Sequence, residues 1–249
     1  MLLTNGCSFV WGDELSGYER NRHHHHTFSY KLSRMMGIPY INLAVCGSCN
    51  DKIFRDTLNE LRTNNNKITH MVIIWSAWSR DEIAEPNISD EKNRKIQRFE
   101  CMTQISPSRL STLEPDVAEG LGAFYDVYDP VNTGILNGLS YMRHMEWICE
   151  LLDIKLIQGV FHPHSWDMIL VSMDPRKLEW KPWQDYVRTV IEQLKDTSRI
   201  GLKRHEDMYS MAVRLDDLKP YNHPGERTHQ EYAEMLYELF ENEENWSEE

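Results

Sequence analysis

The alternation of short apolar strands with amphipathic helices is the feature that most constrains the fold of this chain. Residues 1–6 predict a first strand, and residues 28–37 predict a helix with its apolar positions on one face and a terminating glycine. Residues 38–43 and 51–62 repeat the pattern as a second strand and a second helix. A repeated strand–turn–helix unit is typical of a parallel sheet, so we expect an α/β fold.

The remaining periodic segments extend this sheet. Met71 to Trp75 is a continuous apolar run, as expected for a strand that is buried on both faces. Further strand and helix patterns cover residues 139–152 (helix), 153–160 (strand), 183–194 (helix) and 227–240 (helix). We therefore expect one domain over residues 1–249.

A long segment at about 81–137 interrupts the periodic pattern. It carries four prolines (Pro86, Pro107, Pro115 and Pro130) and many charges. It is too long for a simple connection between a strand and a helix. We interpret it as an insertion of loops and short helices that serves as a lid or a substrate-binding segment.

Composition excludes several classes of function. The chain of 249 residues has 27 Lys and Arg against 39 Asp and Glu, a net charge of −12. This charge argues against nucleic acid and anionic membranes as partners, because both need a basic surface. No apolar run is long enough for a transmembrane helix, and the amino terminus shows no secretory signal. We expect a cytoplasmic protein; composition leaves the oligomeric state undetermined.

Cysteine and histidine patterns suggest metal or redox chemistry only weakly. Cys46 and Cys49 form a CxxC, but neither a second CxxC nor a nearby histidine pair completes a zinc site. The alternative is that both pack around a turn. Four adjacent histidines, His23 to His26, could bind a transition metal weakly, but we prefer a solvated loop. We expect no cofactor and no metal.

Three short motifs carry the candidate chemistry. Asn5-Gly6-Cys7-Ser8-Phe9 follows the first strand, and Asn42 to Asn50 (NLAVCGSCN) follows the second. Asn222-His223-Pro224 precedes the last helix. A serine presented at the carboxyl edge of a parallel sheet becomes a nucleophile when a histidine base reaches it.

In these motifs and their order the sequence resembles the SGNH (GDSL-type) hydrolases. The resemblance implies a three-layer α/β/α sandwich with a mostly parallel sheet, an SGNH-hydrolase or flavodoxin-like arrangement. It implies Ser8 as the nucleophile, His223 as the base, and the amides of Ser8 and Gly47 as oxyanion-hole donors. His229, His162 and His164 are the rival histidines for the role of base.

The sequence departs from the family pattern at two positions. The strand Met71 to Trp75 is not followed by the asparagine that usually donates to the oxyanion in this family. Asn50, in the second motif, either replaces that donor or caps the helix that follows it. Pro220 and Tyr221 occupy the positions where the family places its aspartate. We expect Asp217, in preference to Asp216, or a backbone carbonyl, to hold the His223 ring.

Candidate substrate contacts follow the third strand. Trp75 and Trp78 are core residues or a wall of the site, and Arg80 anchors a substrate carboxylate or pairs with an acid such as Glu82. The function implied by the resemblance is a serine esterase that cleaves small esters, including carbohydrate O-acetyl groups, through a Ser-His dyad or triad and an acyl-enzyme. The alternative is a catalytically degenerate structural or carbohydrate-binding protein with the same fold.

Overall fold

A four-stranded, fully parallel sheet lies at the centre of the computed structural model, which describes residues 1–15, 25–64, 67–78, 81–84, 102–105, 130–161, 182–198, 200–201 and 205–242. The strands of the structure are β1 (Leu2–Gly6), β2 (Tyr40–Asn42), β3 (His70–Trp75), β4 (Asp81–Ala84), β5 (Met102–Ile105) and β6 (Lys155–Val160). The parallel sheet has the order β2-β1-β3-β6, and β4 and β5 form a separate antiparallel pair.

The helices connect consecutive strands and cover the sheet. They are α1 (Ser8–Trp11), α2 (Phe28–Met36), α3 (Asn50–Asn64), α4 (Pro130–Leu151), α5 (Pro182–Gln193), α6 (Met208–Arg214) and α7 (Glu226–Glu241), with a 3₁₀ turn at Asp196–Ser198. Within these described elements, no helix is long and apolar enough to cross a bilayer.

Two apolar clusters lie on opposite faces of the sheet. Because side chains alternate along a strand, Ile73 of β3 joins the cluster beneath α3, α4 and α5, whereas Ile74 joins the cluster beneath α2, α6 and α7. Both side chains are fully buried. This arrangement confirms the predicted three-layer α/β/α fold with a parallel sheet.

The strand order places a topological switch point between β1 and β3. β2 and β3 pair with opposite sides of β1. The chain therefore leaves β1 towards β2 on one side of the sheet, and it leaves β3 towards β6 on the other side. In open α/β sheets, ligands bind outside the carboxyl ends of the strands at such a point. The segments that follow β1 and β2 contain Ser8 and Gly47.

The structure corrects the predicted insertion of loops and short helices: β4 and β5 lie within it as an antiparallel pair, and its carboxyl-terminal boundary was also wrong. A core helix, α4, begins at Pro130 rather than at residue 139, so residues 130–137 are helical and not part of an irregular insertion. The reason is packing against Trp78, because a Cβ at Gly134 or Gly138 would overlap this residue. Two further helices, α1 and α6, are too short to have been predicted from periodicity.

His229 makes the stability of the fold depend on pH. The ring is fully buried in α7, and its Nδ1 accepts a hydrogen bond from the Phe28 N–H at 3.0 Å, which satisfies the first turn of α2. Burial, with smaller contributions from Lys31 and His26, lowers the pKa of His229 to about 3. The histidine is therefore neutral in the folded protein and titrates near pH 6.5 once unfolded.

We expect acid to destabilise the fold through this residue. Because the pKa of His229 is lower in the folded protein than in the unfolded chain, the stability associated with the neutral ring is fully present above about pH 6.5. The free energy of unfolding then falls by about 1.4 kcal/mol per pH unit as the pH falls towards 3. Urea denaturation at several pH values between 7 and 4 checks this. His229→Gln, whose amide oxygen can still accept from Phe28, should show a smaller loss than the wild type; equal losses would contradict the prediction.

Candidate active site

Ser8 is the first residue of α1, in the turn that follows β1. It is 8% exposed, and its carbonyl accepts the amides of Gly12 and Asp13 at 3.0 and 3.1 Å, so the following turn folds back on it. The Ser8 N–H belongs to the first turn of the helix and has no acceptor within its own helix. Ser8 therefore combines a hydroxyl and an available amide at one edge of the sheet.

Two buried asparagines hold this turn against its neighbours. Asn5 donates to the Ile53 carbonyl and to Thr57 Oγ1 of α3, both at 2.9 Å. Asn42 donates to the Val10 carbonyl at 3.0 Å, which ties α1 to the last residue of β2. Asn5 and Asn42 are thus structural: they join β1, β2, α1 and α3 into one unit.

Gly47 lies in a tight turn beside the end of β1. The Ser48 amide donates to the Val45 carbonyl at 3.1 Å, and the Val45 amide donates to the Gly6 carbonyl at 3.3 Å. Gly47 itself has φ of +80°, a left-handed conformation that glycine adopts without steric cost. The predicted oxyanion-hole glycine therefore lies next to the strand that ends just before Ser8.

His223 comes from the opposite side of the site, on a short loop before α7. Leu218 and Pro224 form an isolated antiparallel bridge, and Asn222, at φ +64°, closes a turn on the Lys219 carbonyl. The His223 ring contacts the Phe9 ring edge-on, with 5.5 Å between ring centroids. The structure thus places the predicted base against the residue that follows the predicted nucleophile.

Two acids of the segment after α1 contact the His223 ring. Glu14 Oε2 lies 2.8 Å from Nδ1, and both Glu14 carboxylate oxygens accept the Tyr221 N–H, at 3.1 and 3.2 Å. Asp13 Oδ2 lies 3.8 Å from Nε2. Among the hydrogen bonds of the described residues, none joins Ser8 Oγ to His223.

The expectation for Asp217 differs from the structure. Its Oδ2 accepts the Thr228 N–H at 2.8 Å and the Thr228 hydroxyl at 3.0 Å. Because the N-cap of α7 is Gly225, which has no side chain, Asp217 satisfies the first turn of the helix in its place. The described ion pairs of His223 involve Asp13 and Glu14, and Asp217 is not among them.

Asn50 is also used in a structural contact. Its Oδ1 accepts the Ser76 N–H at 2.8 Å, and its Nδ2 donates to the Ser76 carbonyl at 3.4 Å. The side chain is buried and fixes the end of β3 to the start of α3. Its amide thus holds the segment where the hydrolases that the sequence resembles carry their asparagine, so a role as oxyanion donor would have to use the remaining Nδ2 hydrogen.

The tryptophans predicted as a possible substrate wall lie in the core. Trp75 is fully buried and donates its indole N–H to Gln158 Oε1 at 3.0 Å. Trp78 is 1% exposed and packs on Gly134 and Gly138 of α4. The structure therefore supports the core interpretation that we left open. Arg80 lies outside the described residues.

The alternative metal and redox residues do not assemble around this site in the described chain. Cys46 is an exposed residue, but partial burial of its thiol and the neighbouring Asp13 carboxylate raise the pKa of this thiol to about 12, so it is not a thiolate at neutral pH; Cys49 is buried. His26 Nδ1 pairs with Glu226 at 3.0 Å. No group of three potential metal ligands occurs in the described ranges.

The rival histidines are separated by burial and by position. His229 lies on the buried face of α7, and its Nδ1 accepts the Phe28 N–H. His23, His24, His162 and His164 lie outside the described residues. Of the candidate bases that the structure describes, His223 is therefore the one that lies beside the Ser8 turn.

Glu14 and Asp13 are the contacts that the sequence analysis missed. A search restricted to acids near His223 in sequence cannot find Glu14, which is 209 residues away. The available signal was the acidic pair itself, placed five and six residues after Ser8, shortly after the end of α1.

Comparisons with known proteins find similar solved structures only. No family model matches the chain, and no curated protein sequence matches it. Similar solved structures include a psychrotrophic esterase, EstA, from Pseudoalteromonas sp. (10% identity, 98% of each chain covered, TM-score 0.49). A member of the lipolytic protein G-D-S-L family from Veillonella parvula is 12% identical, with 97% of this chain and 98% of that chain covered and a TM-score of 0.45.

A third neighbour is a carbohydrate esterase. The family two carbohydrate esterase from Clostridium thermocellum, solved with cellohexaose, is 11% identical, with 99% of this chain and 65% of that chain covered and a TM-score of 0.41. Of these three structures, the one from Veillonella parvula carries the name of the family that the sequence motifs resemble.

Proposed function

We propose that this protein is a serine esterase that hydrolyses small esters, with Ser8 as nucleophile and His223 as base. The observation that carries the proposal is the position of the His223 ring on Phe9, next to Ser8, at the carboxyl edge of β1. A histidine base acts through direct contact or through one water, and such contacts often tighten only when substrate binds.

The proposed reaction has two halves. Ser8 Oγ attacks the ester carbonyl carbon while His223 Nε2 removes its proton, and the amides of Ser8 and Gly47 stabilise the oxyanion. The protonated Nε2 then gives its proton to the leaving alcohol, which leaves an acyl group on Ser8. Water, deprotonated by His223, hydrolyses this acyl-enzyme and restores the serine hydroxyl.

The experiment that tests the proposal is covalent labelling combined with an esterase assay. We expect a fluorophosphonate to add one equivalent, located on the Ser8 peptide by mass spectrometry, and to stop the hydrolysis of p-nitrophenyl acetate in proportion. Heat-denatured protein is the control for non-specific reaction. Labelling elsewhere, or hydrolysis that persists after complete labelling of Ser8, would contradict the assignment.

A second candidate function is a structural or carbohydrate-binding protein that retains the fold without catalysis. The observation that favours it is that Ser8 Oγ and His223 share no hydrogen bond among the described contacts, while Asn50 is engaged with Ser76. The same labelling experiment separates the two candidates, because a serine without an activating base does not react with a fluorophosphonate.

The charge around the proposed site points to neutral or cationic esters as substrates. Asp13 is 45% exposed at its side chain and lies 3.8 Å from His223 Nε2, where a substrate would bind. A carboxylate at this position repels a negatively charged acyl group. Small neutral esters, including acetyl groups on carbohydrates, fit this requirement.

We expect Asp13→Asn to relax this selectivity. The ratio of kcat/KM for an anionic ester (p-nitrophenyl hemisuccinate) to that for a neutral one (p-nitrophenyl acetate) should rise about two- to fivefold at low salt, and less at high salt. The ratio cancels effects common to both substrates. The matched control is Asp216→Asn, which removes the same charge from an exposed position and should leave the ratio unchanged. A ratio that stays constant or falls in Asp13→Asn would contradict the proposed charge effect.

A further inference from the structure

We propose that Glu14 is the positioning residue that orients the His223 ring, so that the nucleophile and the orienting acid come from the segment that follows β1 and the base from the loop before α7. This inference rests on the proposed function and identifies the third group of the site. It assigns to Glu14 the role that sequence analysis expected of Asp217.

The carboxylate of Glu14 is held at two points by the loop that carries the histidine. Oε2 lies 2.8 Å from His223 Nδ1, within the range of a charge-assisted hydrogen bond. Both oxygens also accept the Tyr221 N–H. The side chain is only 15% exposed, so solvent competes little with these contacts. The Glu14 carboxylate therefore fixes the His223 ring relative to the backbone of the loop that carries it.

The backbone at Glu14 supports a role for this particular side chain. Glu14 has φ of +64°, a left-handed conformation that is strained for a non-glycine residue. Glycine or asparagine would fit such a turn better. A strained residue of this kind persists where surrounding contacts stabilise it, and such residues cluster at functional sites. The contact that glutamate adds here is the one with His223 and Tyr221.

The other nearby acids do not meet the same requirement. Asp217 accepts two hydrogen bonds from Thr228 in the first turn of α7. Asp13 lies on the Nε2 side of the ring, the nitrogen that must accept the serine proton. Among the described residues, Glu14 is the acid that contacts Nδ1.

The contact with Nδ1 determines what the ring can do. An Nδ1–H that donates to the carboxylate leaves the lone pair on Nε2, the tautomer that a general base needs. The same carboxylate stabilises the imidazolium that forms when Nε2 takes the proton from Ser8. In triads of this type, an amide in place of the acid lowers kcat by a factor on the order of 10⁴ through the wrong tautomer.

The test is the tautomer of His223 in wild type and in Glu14→Gln, measured by ¹⁵N NMR at a pH where the ring is neutral. We expect the Nδ1–H form in the wild type and a substantial Nε2–H population in Glu14→Gln. We also expect kcat for p-nitrophenyl acetate to fall about 10²- to 10⁴-fold with little change in KM, and Glu14→Asp to recover part of the rate. Asp216→Asn, at an exposed residue also in the left-handed region (φ +52°), is the matched control and should change neither readout.

Specific outcomes would overturn this assignment. An Nε2–H tautomer in the wild type would do so even if no Glu14 variant folds. So would an unchanged tautomer and rate in a folded Glu14→Gln, or loss of the Nδ1–H tautomer in Asp217→Asn. A Glu14-dependent tautomer in a protein that neither hydrolyses esters nor reacts with a fluorophosphonate would retain the positioning role and overturn only the esterase proposal.

Discussion

Ser8→Ala is expected to abolish ester hydrolysis while leaving the fold intact. Removing a covalent nucleophile leaves only the stabilisation of bound substrate and oxyanion, so kcat should fall by a factor on the order of 10⁴ or more. The change is small in volume, and the turn around Ser8 is held by backbone hydrogen bonds and by Asn42, so the melting temperature should stay close to that of the wild type. Initial rates with p-nitrophenyl acetate and a thermal melt check both statements.

The matched control for this variant is Ser140→Ala. Ser140 lies on α4, where its hydroxyl donates to the Leu136 carbonyl and contacts the Tyr186 hydroxyl, away from the Ser8 turn in the chain. The Ser140→Ala variant makes the same chemical change and should keep the esterase activity of the wild type. Near-wild-type turnover in Ser8→Ala would show that Ser8 is not the nucleophile.

Trp78→Ala is expected to have the largest effect on stability. The indole is almost completely buried, at 1% exposure, against glycines of α4 that leave room for it. Truncating a buried tryptophan removes its buried apolar surface and leaves a cavity, which costs about 3–5 kcal/mol. The free energy of unfolding from urea denaturation measures this loss.

A surface tryptophan is the control for Trp78→Ala. Trp147, on the same helix α4, is 48% exposed and stacks beneath the Arg143 guanidinium. Its replacement by alanine should cost about 1 kcal/mol or less, because little buried surface is lost. If Trp78 were a wall of the substrate site instead, its replacement would raise KM and leave the free energy of unfolding nearly unchanged.

The contrast between Ser8 and Trp78 shows which positions local sequence signals can predict. The position of Ser8 just after the first strand could be predicted because its motif combines a strand end with a turn, and both signals lie within a few residues. Whether a tryptophan after β3 faces the core or the site depends on what packs against it. Here that partner is α4, more than fifty residues later, at Gly134 and Gly138.

The boundaries of the elements show the same division. The ends of α2 and β3 were predicted to within one residue, because capping residues and apolar periodicity are local properties. The start of α4 was placed nine residues too late, because Pro130 and the charges before it resemble a loop. A proline is compatible with the first turn of a helix, and only the packing of the following residues reveals that the helix begins there.

The sequence by itself determined the order of the strands of the parallel sheet, its longer helices, and the two strand-end motifs at one edge of the sheet. These follow from periodicities of two and 3.6 residues and from turn residues, which act over a few positions of the chain. The tertiary structure decided which acid meets the histidine. Glu14 and His223 are 209 residues apart, and their contact depends on how the turn after β1 and the loop before α7 converge. Asp217, close in sequence, is instead drawn to the unsatisfied amides at the start of α7, because the N-cap glycine there leaves them without a side-chain acceptor.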